Sequence, residues 1–149
     1  MGEKIIIAGD HAGWEMKEHV RQFLQQRGYI VEDASAPQID PSDDYPVFGF
    51  KVARAIADKA FEKGILICGT GIGISIAANR YPGVRAALCT SAELARMSRE
   101  HNNANVLVMG GRTTSFPDAE NMIDTWLNTP FSGDRHARRV DLLDQPPQR

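Results

Sequence analysis

GILICGTGIGISIAANR, residues 64–80, decides the reading of this chain. Gly64 through Cys68 is the kind of short apolar run that fills a strand buried on both faces. It passes directly into Gly69, Thr70, Gly71 and Gly73, and a helix is expected to start at about Ile74. A thiol therefore stands where a strand hands over to a glycine loop. Consecutive backbone N–H groups in such a loop, backed by a helix start, form a concave site that attracts negative charge. A thiol in that setting gains reactivity.

Outward from this stretch the pattern repeats. IIIA (5–8), YIVE (29–32), VRAALC (84–89) and NVLVM (105–109) are further short apolar runs bounded by Gly, Asn, Asp or Pro. Between them lie helical periods. Met16, Val20, Phe23 and Leu24 share a face before Gly28, and Val52, Ala53, Ile56, Ala57, Ala60 and Phe61 share one before Gly64, a candidate helix stop. Thr90 with Glu93 reads as a capping box, and Met122, Ile123, Trp126 and Leu127 form the last strong apolar face. Strand and helix alternate throughout. The expectation is an α/β, Rossmann-like three-layer sandwich: a five-stranded parallel sheet, order 2-1-3-4-5, with helices on both faces. In that order the switch point lies between the first and third strands, where ligands bind at the carboxyl ends. Gly9-Asp10-His11 and Cys68-Gly69-Thr70 would then face one crevice.

Composition excludes several classes. With 149 residues, 42% hydrophobic, 24% charged and a net charge of −2, a single domain over 1–149 is expected. No apolar run approaches the ~20 residues of a membrane span. The opening MGEKIIIAGDH is unlike a secretory signal, so a cytoplasmic location is the default. Cys68 and Cys89 make no disulfide framework. Nucleic acid is not expected as a partner, because the one basic cluster is short and lacks interleaved aromatics.

Familiar glycine-loop chemistries fail letter by letter. A dinucleotide fingerprint begun at Gly69 needs glycine at position 74, where Ile74 stands, and a P-loop needs glycine there followed by lysine. A cysteine phosphatase would place arginine six positions after its nucleophile, again at Ile74. Cys68 remains as a general base or a covalent nucleophile, against the bland alternative of a small apolar strand residue. Proton abstraction beside a carbonyl suits the loop, whose N–H groups would hold enediolate oxygens; losing one such donor typically costs ~3 kcal/mol. Taken alone, His101 reads as a helix-end histidine and RHARR (135–139) as a solvated basic tail.

The 64–80 stretch, GDHAG (9–13), DYP (44–46), REHNNANVLVMGGR (99–112) and RHARRV (135–140) together resemble the ribose-5-phosphate isomerase B (RpiB/LacAB) family of sugar-phosphate isomerases. The likeness covers almost the entire chain. It implies an aldose–ketose isomerase of pentose phosphate metabolism that works through an enediolate, without metal or cofactor. Cys68 would be the base between carbons 1 and 2, with Gly69, Thr70, Gly71, Gly73 and Ser75 in the anion-stabilising loop. Some members carry glutamate at position 75 and use it as the base; Cys68 with Ser75 follows the cysteine branch. His101 would open the furanose ring with Asn102 beside it, Asp10 and Tyr45 would meet sugar hydroxyls, and His11, Arg112, Arg135 and Arg139 would bind phosphate. The family also implies that His101, Asn102 and Arg112 arrive from a partner chain. The expected assembly is a homodimer or dimer of dimers with shared sites, the segment from about 135 packing on the partner.

One departure stands out. The family's Asp-x-Gly after the second strand is replaced by DASA (33–36), followed by PQIDPSD with Pro37 and Pro41. This loop leads into Asp44 and Tyr45, so relatives' other substrates, allose 6-phosphate, galactose 6-phosphate or a tetrose phosphate, stay open. A non-catalytic sugar-phosphate-binding module and a redox sensor using Cys68 and Cys89 are the alternatives from other classes.

Overall fold

A computed structural model describes residues 2–148. Five parallel strands, β1 (Lys4–Gly9), β2 (Ile30–Asp33), β3 (Gly64–Cys68), β4 (Ala86–Leu88) and β5 (Val106–Gly110), form one sheet. Six α-helices accompany them: α1 (Trp14–Gln26), α2 (Tyr45–Ala57), α3 (Ile72–Ala78), α4 (Ala92–Asn102), α5 (Phe116–Asn128) and α6 (Arg135–Leu143). Strand order is β2-β1-β3-β5-β4, so the expected order 2-1-3-4-5 is corrected by exchange of the last two strands. The reason is hydrophobic. Every residue of β5 is buried and belongs mid-sheet, whereas β4 has only partly buried residues and takes the edge. The β1/β3 switch point is unaffected.

Alternation along the strands divides the core. Ile5, Ile7, Ile65, Ile67, Leu107 and Met109 point to one face, under Met16 and Val20 of α1 and Met122 and Trp126 of α5. Ile6, Ala8, Leu66, Cys68, Val106 and Val108 point to the other, under Phe48 and Val52 of α2 and Ile74 of α3. Cys89 belongs to the first face and Cys68 to the second, so the sheet separates the two thiols. Burial pushes the Cys89 thiol up to about 11. A redox pair has no geometric basis here.

Local signals decide the ends. Gly28, at φ 89°, follows α1 as the left-handed stop. Gly64 is not a stop but the first residue of β3: α2 ends at Ala57, with Lys59 supplying the left-handed turn at φ 61° and Ala60 N–H donating back to Ala55 O. The cap of α4 is Ser91 rather than Thr90, its hydroxyl accepting from Leu94 N at 3.2 Å. At the sheet edge the Asn79 side-chain amide pairs with Ala86 of β4, donating to its O (2.9 Å) and accepting from its N (2.8 Å). Among the described residues no helix is long and apolar enough to cross a membrane.

Candidate active site

The carboxyl ends of β1 and β3 open into a cleft of about 550 Å³. Cys68, only 5% exposed, lies in it as the last residue of β3, with Gly69, Thr70 and Gly73 beyond it. The helix after the loop begins at Ile72, two residues earlier than expected, because Gly71 takes φ 82° and turns the chain at once. A Cβ there would sit 2.5 Å from Leu88 Cδ1, so the turn needs glycine twice over. Gly73 serves close approach: an added Cβ would lie 2.5 Å from the Tyr45 ring, which closes one side of the cleft. Thr70 Oγ1 accepts from Ile72 N at 3.3 Å. Ser75 supports the loop from behind the cleft lining, its hydroxyl donating to Ile72 O at 2.7 Å.

The segment after β5 locks the loop from the far side. Gly111 N–H donates to Cys68 O (2.7 Å) and Arg112 N–H to Gly69 O (2.9 Å). Arg112 therefore lines the cleft of its own chain, its guanidinium so near Gly69 that an added Cβ would be 3.4 Å from Nη1. This corrects the expectation that Arg112 comes from a partner.

The β1 side is tied down by a hydrogen-bond network. Asp10, 4% exposed, accepts from Gly13 N at 3.0 Å and caps a single 3-10 turn, His11–Gly13. Gly9 N–H donates to Ser35 Oγ (2.9 Å), and Ser35 N–H to Asp33 Oδ1 (2.9 Å). Asp33 Oδ2 in turn accepts from Lys17 Nζ at 2.9 Å, with the ammonium 3.6 Å above the Trp14 ring. His11 Nδ1 lies 2.7 Å from Asp43 Oδ1. That bond raises the imidazole above its usual range; burial and Arg112 oppose the rise and Asp10 assists it. Asp10, His11 and Asp43 form the one histidine–carboxylate grouping of metal-site compactness among the described residues, and internal hydrogen bonds already engage all three.

His101, Asn102, Arg135 and Arg139 are elsewhere. His101 and Asn102 end α4, ahead of the amino end of β5, while Cys68 pairs with Gly110 at its carboxyl end. The length of β5 alone separates the levels by roughly 13 Å. There the His101 ring stacks on His136 of α6 at 4.4 Å, with Arg135 and Arg139 exposed on the same helix. Burial, then Arg135, His101 and Arg139, keep His136 below its usual range.

Ten of the candidates thus surround or support one cleft and four gather at the opposite end of the sheet. Sequence reasoning missed Asp43 and Ser35. Both lie in the loop where DASA departs from the family pattern, and the doubled acid of DDYP was the available signal.

The family model for Ribose/Galactose Isomerase matches residues 5–143. The chain belongs to this family. Ribose-5-phosphate isomerase B of Escherichia coli K12 is 40% identical over 147 residues, covering 99% of this chain and 98% of that one. The solved ribose-5-phosphate isomerase B of Clostridium thermocellum is 49% identical at a TM-score of 0.92, with 95% of each chain covered. That of Mycoplasma genitalium, solved with bound ribulose-5-phosphate, is 38% identical at a TM-score of 0.93, with 97% and 96% covered. Ribose/galactose isomerases of this kind thus share the whole fold with the present chain.

Proposed function

We propose that this protein is an aldose–ketose isomerase interconverting ribose 5-phosphate and ribulose 5-phosphate, with Cys68 as the base. The observation that carries this reading is the placement of Cys68 at the floor of the switch-point cleft, between the glycine loop and Arg112. In the open-chain aldose the Cys68 thiolate takes the proton from carbon 2, the C–H electron pair moves into a carbon 1–carbon 2 double bond, and the carbonyl oxygen becomes an enediolate oxygen. Loop N–H groups and the Thr70 hydroxyl stabilise that charge as it develops. A proton passes from the carbon 2 hydroxyl to the oxygen on carbon 1, and return of the carbon-bound proton from the Cys68 thiol to carbon 1 gives the ketose. Asp10 and Tyr45 orient sugar hydroxyls, and His11 and Arg112 hold the phosphate, whose remote binding positions the reacting end.

The missing functions are ring opening and further phosphate charge, and the remote cluster offers them: His101 with Asn102 for the first, Arg135 and Arg139 for the second. One domain cannot bring its own cluster to its own cleft across the sheet. A homodimer, alone or doubled into a tetramer, in which each cluster completes the other chain's cleft is therefore the working unit. The exposed Leu142 and Leu143 of α6, and Ile72 and Ile76 of α3 beside the cleft, supply apolar surface for it. A cytoplasmic, single-domain enzyme of sugar-phosphate metabolism fits the sequence and the fold.

The test is an isomerisation assay with ribose 5-phosphate under chelator, run beside allose 6-phosphate, galactose 6-phosphate and erythrose 4-phosphate. Metal-independent turnover preferring ribose 5-phosphate is the expected result. Preference for another sugar would move the substrate assignment to the 34–43 loop, and silence on all four from folded protein would leave a binding module.

A further inference from the structure

Asp43 is held in an unusual way. One oxygen, Oδ1, takes both bonds from His11: the ring Nδ1 at 2.7 Å and the backbone N–H at 3.1 Å. The carboxylate is 9% exposed, and its second oxygen, Oδ2, is buried without a hydrogen-bond partner among the described residues. A buried carboxylate so poorly supplied with donors is stabilised by a cation against it. The ring of His11 is the group in place to be that cation.

The consequence lies at the other ring nitrogen. With Nδ1–H committed to Asp43, a neutral ring has a bare Nε2 that can only accept a hydrogen bond, and a phosphate dianion offers only acceptors. Only the doubly protonated ring can donate to phosphate. We propose that Asp43 is a positioning residue for phosphate capture: its carboxylate fixes the His11 ring through Nδ1 and keeps it cationic, so that Nε2–H is available to the substrate phosphate beside Arg112. This rests on the reading that His11 binds phosphate.

Neighbouring groups set the balance. Asp43 and Asp10 favour the cation, Arg112 from the β5 side and burial oppose it, and Asp40 of the same loop lies within its field. The loop that delivers Asp43 is itself fixed, through Ser35 Oγ on Gly9 N and through Asp40, which accepts from Ser42 N and Oγ at 3.0 and 2.7 Å. The segment that departs from the family's Asp-x-Gly pattern is thus the one that carries the partner of His11 to the cleft.

The experiment follows the His11 ring by NMR titration in the full-length protein, the signal being assigned by its loss in His11→Asn. Wild type is expected to titrate above the ordinary imidazole range, Asp43→Asn lower, and Asp43→Glu between them. Inorganic phosphate serves as the binding probe: Asp43→Asn should weaken it roughly three- to tenfold at pH 8 and less than twofold at pH 6. In steady state the same variant should lower kcat/KM for ribose 5-phosphate with that pH dependence, chiefly through a raised KM. Asp43→Ser provides a second variant should the asparagine fold poorly. An unmoved His11 midpoint, or an affinity loss equal at both pH values, overturns the proposal. Wild type that titrates and binds phosphate as expected but isomerises nothing would overturn the proposed reaction and leave the His11–Asp43 pairing standing.

Discussion

The two ends of the sheet are built on different terms. At the carboxyl ends, Cys68 and Asp10 are buried, their loops are bonded across strands, and Gly71 and Gly73 admit no side chain. At the amino ends, Arg135, Arg139 and Asn102 are exposed and His101 leans on another histidine. The first region is arranged before any ligand arrives, as an enediolate requires, because electrostatic stabilisation works only if its donors need not reorganise. The second presents exposed guanidinium groups, which suits surface that docks on another chain.

Mutations can break this comparison in graded ways. Cys68→Ala should have the largest effect, reducing turnover by at least about 10³-fold while ribose 5-phosphate still binds by calorimetry. Loss of binding from a folded variant would sink its role as the base. The division of the site predicts complementation: Cys68→Ala and His101→Ala proteins, each inactive, should recover about a quarter of wild-type activity when unfolded together and refolded, since half the chains pair heterologously and each such pair has one intact site. No recovery would mean that each chain builds its site alone. Arg139→Ala should raise KM about tenfold or more, an effect that high salt mimics in wild type. Gly71→Ala sharpens the contrast from the other side, since a left-handed turn with no room for a methyl should cost about 2 kcal/mol or more in urea unfolding, beyond any change in activity. A tolerated alanine there would show that the loop is less fixed than its geometry implies.

Much of this was legible in the chain. Short apolar runs bounded by Gly, Asn, Asp or Pro located all five strands, and their continuous apolar character called for cover on both faces, which the two core clusters supply. Strand order beyond β3 was not legible, because run length does not report that Ala86–Leu88 would pair over only three residues and lie at the edge. Gly64 misled because glycine marks helix stops, but the left-handed position went to Lys59, and Gly64 lies where a Cβ would meet Val52 Cγ1 at 2.8 Å. Cys68 and its loop were readable since adjacent residues make them. Asp43 was not, since its meaning comes from His11, 32 positions away.

Asn79 has a further consequence for the life of the protein in a crowded solution. An edge strand normally offers a row of free N–H and C=O groups to any other extended chain, which is how sheets aggregate. Here the carboxamide of Asn79 occupies both backbone groups of Ala86, the first residue of the shortest strand. The sheet thus ends in a plug made from its own side chain, and a foreign strand would have to displace two hydrogen bonds to gain a foothold.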